Sequence, residues 1–132
     1  MKLYLAGIFT SNFEIGGNVY RKLTPAEQRM RDSVEYYLES YHYIHRQSYV
    51  EKIRREGRKV FLDSGAFSAF SQGVEIDIDA YCEYNKRNAD IIDFASVLDA
   101  IGCHKGTWHN QAAIEQRGVS VLPCFHYGEP ME

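Results

Sequence analysis

The chain has 132 residues, 45% of them apolar and 25% charged, and a formal charge of −3. That is the size of one domain able to bury an ordinary core, and no Pro/Ser linker, low-complexity tract or repeat divides residues 1–132. The charge gives no global pull toward a polyanion, the unpaired spacing of Cys82, Cys103 and Cys124 indicates neither a disulfide framework nor a thiolate zinc cluster, and no apolar run reaches the ~18 residues of a membrane span. The opening MKLYLAGIF is too short and too quickly polar for a signal peptide, so the expected setting is the cytoplasm, with no membrane partner.

In chain order, Lys2 to Phe9 has the content of a buried strand, and Thr10 to Asn18, rich in Gly, Ser and Asn, reads as its exit loop. Thr24-Pro25-Ala26-Glu27 is a helix start, with Thr24 as cap, Pro25 at the first helical position and Glu27 reaching back. Tyr36 to Ile44 is divided, because its aromatics favour a strand while Leu38 and Glu39 favour a helix. The tyrosines Tyr36, Tyr37, Tyr41 and Tyr43 read as packing residues ahead of a base-stacking platform.

Ser48 to Glu56 reads as a helix closed by Gly57, and Val60-Phe61-Leu62 as the strand that follows. The basic residues Lys52, Arg54, Arg55, Arg58 and Lys59 read as a solvated face, with phosphate contacts as the alternative. Asp77 or Asp79 caps a helix through about Asn88, and Ile91 to Leu98 forms the next strand. Thr107 to Arg117 with Gly118 repeats the helix and stop before a strand over Val119 to Phe125. Strands alternating with helices imply an α/β class with a parallel sheet.

Three of these strands end in polar clusters: Asp63-Ser64-Gly65, Asp99, and His126-Tyr127-Gly128-Glu129. In parallel α/β folds the carboxyl ends of strands share one face, where ligands bind, so these clusters are expected to converge into a site. Each has a plainer reading: Asp63 as a cap, Asp99 as a turn tie, Gly65 and Gly128 as sources of backbone freedom. Asn110 and Gln111 carry a donor and an acceptor each and suit a nucleobase edge, or they are surface helix residues. His104 and His109 flank Thr107-Trp108 in an expected loop; without a fixed ligand spacing, neither they nor His126 are assigned to a metal, and no cofactor is expected.

Phe61-Leu62-Asp63-Ser64-Gly65-Ala66-Phe67-Ser68 resembles the DSGGFQ signature of tRNA-guanine transglycosylases, and more closely the DSGAF form of phage enzymes that place 7-deazaguanines in DNA. The similarity continues through Ile91 to Asp99, like that family's strand ending in a base-recognising Asp, and through Phe125-His126-Tyr127-Gly128-Glu129. It covers residues 60–129. The resemblance implies a (β/α)₈ TIM-type barrel, of which this chain is the N-terminal half, and a base exchange that replaces guanine in DNA, or secondarily tRNA, with a 7-deazaguanine. It implies Asp63 as the acid/base carboxylate and Asp99 as the group that accepts from the purine N–H edge. Ser64, Gly65, Asn110, Gln111, His126, Tyr127, Gly128 and Glu129 are the accompanying substrate-binding candidates. The family's nucleophilic Asp belongs to the second half of the barrel and has no counterpart in the matched segment, and neither does the family's C-terminal Cys/His zinc site. A second barrel half or a second copy is therefore an expected partner, in a bacterial or phage-infected cytoplasm. Two further readings stand beside this one: a non-catalytic half-barrel that binds a purine, and a nucleoside deoxyribosyltransferase, whose opening strand Met1-Lys2-Leu3-Tyr4-Leu5-Ala6-Gly7 resembles.

Overall fold

The computed structural model describes residues 1–6, 12–15 and 18–128. Its strands are β1 (Tyr4–Ala6), β2 (Asn12–Ile15), β3 (Asn18–Lys22), β4 (Tyr36–Ser40), β5 (Lys59–Asp63) and β6 (Ile92–Ala95). Its helices are α1 (Pro25–Asp32), α2 (Tyr41–Ile44), α3 (Gln47–Arg55), α4 (Ala66–Ser71), α5 (Ile78–Arg87) and α6 (His104–Gln116). The main sheet is four-stranded and parallel in the order β1-β4-β5-β6, and Leu122 adds a parallel bridge to Ser96 beyond β6. The α/β class with a parallel sheet follows directly. Each strand of this sheet lies beside the next in sequence, without the order reversal of a doubly wound sheet.

Local chemistry explains most boundaries. Thr24 Oγ1 accepts the Glu27 amide at 3.3 Å while Glu27 accepts the Thr24 amide at 2.8 Å, so the capping box starts α1 as expected. Asp77, rather than Asp79, caps α5 by accepting the Ala80 amide at 2.7 Å. Gly57 closes the α3 turn at φ +66°. The divided segment from Tyr36 to Ile44 uses both of its propensities: residues 36–40 are strand and 41–44 a turn of helix.

Four expectations are corrected. The exit loop proposed for Thr10 to Asn18 contains β2, which pairs antiparallel with β3. α4 occupies a segment to which the sequence reading gave no helix. α6 begins at His104, so His104 and His109 are helical rather than in a loop. The strand expected over Val119 to Phe125 is reduced to the Leu122 bridge; Pro123 has no amide to extend the ladder.

The two faces of the sheet differ. Tyr37, Val60, Leu62 and Ala95 are buried in the core with Val50 and Ile53 of α3, Tyr81 of α5 and Ile114 of α6. On the other face Tyr36, Leu38 and Phe61 are only partly covered, and Phe94 is 43% exposed. This second face is concave. In a flat sheet the outermost of four strands stand about 14 Å apart. Here Tyr4 of β1 nonetheless donates its hydroxyl to Asp93 of β6, Lys2 reaches the same carboxylate at 2.7 Å, and the Tyr4 ring lies 5.7 Å from Phe61 and 6.3 Å from Phe94. Such contacts between non-adjacent strands require the sheet to curl around them. No described helix is long and apolar enough to cross a membrane.

The basic run is divided between α3, the turn after it and β5. Arg54 pairs with Asp90 and Glu51, Arg58 donates to the Asp32 carbonyl, and Lys59 donates to the Asp90 carbonyl. These engagements tie the run into the fold rather than leaving it one solvated face, and Arg58, whose side chain is 15% exposed, lies over the Tyr37 ring.

Candidate functional site at the carboxyl ends of the strands

β4, β5 and β6 run in the same direction, so Ser40, Asp63 and Ser96 emerge at one end of the sheet; Ser40 and Asp63 are register partners. The Ser64 amide donates to Ser96 Oγ at 2.9 Å, tying the exits of β5 and β6 together. Asp63 is partly buried, and its Oδ2 accepts the Gly65 amide at 2.8 Å. That bond closes a turn; Gly65 is the N-cap of α4 and no side chain caps that helix, so Asp63 is not the cap expected of it.

Gly65 takes φ +74° and packs tightly against the exit of β4. A Cβ built there would lie 2.2 Å from Ser40 Oγ and 2.6 Å from the His42 Cβ, so conformation and space both require glycine. The Ser40 hydroxyl is buried and has no hydrogen-bond partner among the described residues.

Asp99 stands in the turn after β6 and is the centre of a second set. Thr107 Oγ1 donates to its Oδ1 at 2.6 Å, and His126 Nε2 lies 2.8 Å from the same oxygen. The Ala100 amide donates to Thr107 Oγ1 at 2.8 Å, which fixes that hydroxyl from behind. Asn110, on α6, donates to the Leu98 carbonyl at 2.8 Å. Gln111 is buried rather than a surface residue; its amide nitrogen donates to Glu115 at 2.5 Å and to the Val121 carbonyl at 3.3 Å. Both amides thus have work within the fold.

The chain therefore brings Asp99 and His126 into contact and joins the Asp63 and Asp99 exits through Ser64 and Ser96. An open groove of about 1180 Å³ runs between the α4–α5 connection and α6, lined by Asp99, His109 and Asn110 among others. Asp63 does not line it. Tyr127 and Gly128 follow His126 and are exposed, while Glu129 lies outside the described residues.

Two participants were missed in the sequence. Thr107 has no local motif to mark it, since its role arises from the fold of the Asp99 turn onto the first turn of α6. Cys124 had a signal, the Cys-x-His spacing with His126. The Sγ of Cys124, a ring nitrogen of His126 and a carboxylate oxygen of Asp99 lie within 4.8 Å of one another. Among the described residues this is the set of three or more potential metal ligands that converges, and it includes neither His104 nor His109. No family model matches the chain, no curated protein matches it, and no solved structure matches it.

Proposed function

We propose that residues 1–132 form the acid/base half of a (β/α)₈ transglycosylase barrel that exchanges guanine for a 7-deazaguanine in a nucleic acid, DNA ahead of tRNA. The observation that carries this reading is the placement of Asp63 and Asp99 at the carboxyl ends of successive parallel strands, with the Ser64–Ser96 bond joining the two exits. In barrel enzymes that end of the sheet carries the chemistry. The unreversed strand order and the curl of the sheet also suit part of a barrel.

In this reading Asp99 accepts hydrogen bonds from the N–H edge of the purine, while Asp63 moves a proton on and off the departing and arriving bases. The target nucleotide leaves its stack to reach them. The glycosidic carbon is attacked by a carboxylate belonging to the second half of the barrel. That half is supplied by a further barrel segment or a second copy packing on the concave face.

Titration of 7-cyano-7-deazaguanine and guanine into the purified chain by calorimetry tests the pocket, with Asp63→Ala and Asp99→Ala beside the parent. Heat of binding lost in both variants supports base exchange and makes an exchange assay on DNA the next measurement. A folded parent that binds neither base overturns the reading. The Gly65 bond to Asp63 favours a second reading, a non-catalytic purine-binding half-barrel in which Asp63 only shapes the turn. It expects binding to survive Asp63→Ala and to be lost in Asp99→Ala.

A further inference from the structure

Asp99, Cys124 and His126 bring three different ligand chemistries to one point. Cys124 and His126 are two residues apart in the segment that follows the Leu122 bridge, a spacing that turns side chains to one side of an extended chain. Asp99 arrives from the neighbouring β6 exit. The carboxylate is already oriented: Thr107 Oγ1 donates to it at 2.6 Å, and Thr107 is itself fixed by the Ala100 amide at 2.8 Å. A metal ligand held by a second layer of hydrogen bonds is the usual construction of a protein metal site.

We propose that Asp99 Oδ1, Cys124 Sγ and His126 Nε2 bind a divalent transition metal, with zinc the ion their chemistry suits best. Thiolate and imidazole select against magnesium and calcium, which take oxygen ligands, while zinc accepts sulfur, nitrogen and carboxylate oxygen alike. Neighbouring ligand atoms in a tetrahedral zinc site stand roughly 3.3–3.7 Å apart. The set, with its atoms inside 4.8 Å and the His126–Asp99 pair at 2.8 Å, reaches that spacing through small side-chain shifts. Cys124, which is exposed, is placed to make them. On metal binding the ion replaces the hydrogen bond between His126 and Asp99. Three protein ligands leave a fourth position for water or a ligand, at the end of the sheet where ligands bind.

This inference does not depend on the transglycosylase reading, because its test contains no base and reads no turnover. The full chain is stripped with chelator, then titrated with zinc by calorimetry and with cobalt(II) by absorption spectroscopy. The expected result is one equivalent of zinc and a thiolate-to-cobalt charge-transfer band. Cys124→Ser abolishes that band, His126→Ala weakens zinc binding by about tenfold or more, and Cys103→Ser leaves both unchanged. Circular dichroism of each variant confirms that it is folded. A folded parent that takes up no stoichiometric zinc overturns the proposal, and so does a charge-transfer band that survives Cys124→Ser.

Discussion

At the scale of single residues, glycine positions separate conformational strain from lack of space. Gly57 and Gly65 both sit in the left-handed region, at φ +66° and +74°, but a Cβ at Gly57 meets nothing within 4 Å whereas one at Gly65 runs into Ser40 and His42. Gly57→Ala therefore costs only the left-handed penalty, roughly 1–2 kcal/mol. Gly65→Ala adds overpacking and is expected to cost roughly 2–4 kcal/mol, with the exits of β4 and β5 forced apart. Urea unfolding of both variants checks the order; equal losses would refute the close approach of Gly65 to Ser40. The Ser40 hydroxyl makes the opposite prediction. It is buried without a partner among the described residues, so Ser40→Ala is expected to leave the urea midpoint unchanged or raise it, because no hydrogen bond is lost.

The candidate site was partly legible at this scale. Asp63, Asp99 and His126 stood out because each polar residue follows an apolar strand, and strand direction alone predicts that such exits converge. Thr107 did not, since nothing in the sequence shows that the first turn of a helix folds back on the preceding turn. Gln111 was legible only as an amide; its burial depends on how α6 packs on the segment around Val121.

At the scale of elements, boundaries fixed by one or two local bonds were readable and those fixed by partners were not. The Thr24–Glu27 box, the Asp77 cap and the Gly57 stop each act within a few residues. The short bridge at Leu122 depends on what lies beside it, and the strand pattern of Val119 to Phe125 cannot show that. Gly16-Gly17 between Phe13, Ile15 and Val19 is a hairpin signal in the sequence, but the Gly, Ser and Asn content around it reads equally as a loop.

The contacts between β1 and β6 give a pH prediction. The Asp93 carboxyl is held below its ordinary range, chiefly by the Lys2 ammonium and then by the Tyr4 hydroxyl. A carboxylate depressed in the folded state stabilises it above the unfolded value of about 3.9, and that stabilisation is lost as pH falls through the folded value. Asp93→Asn is expected to lower stability at pH 7, by about 1 kcal/mol or less for so accessible a pair, and to cost less near pH 3. Urea midpoints of parent and variant at the two pH values check this; a gap that widens in acid would have the wrong sign.

At the scale of the whole molecule, the decisive feature is that the described residues bury one face of the parallel sheet and cover the other only in part. Parallel sheets in proteins are covered on both faces, because their strands are apolar on both. In this protein the helices α3, α5 and α6 pack against Tyr37, Val60 and Leu62, while the concave side presents Leu38, Phe61 and the 43%-exposed Phe94. This concave apolar surface, bounded by β1 on one side and the Leu122 bridge on the other, is open to a partner. In the absence of another partner, copies of the chain are expected to associate through this face as concentration rises. Phe94→Glu places a charge where association would bury it, which carries a desolvation cost that the free chain avoids. The variant should therefore shift sedimentation or light-scattering mass toward the monomer while leaving the urea midpoint near that of the parent. A parent that stays monomeric at high concentration would remove the concave face from the argument and leave the barrel reading on the Asp63 and Asp99 exits alone.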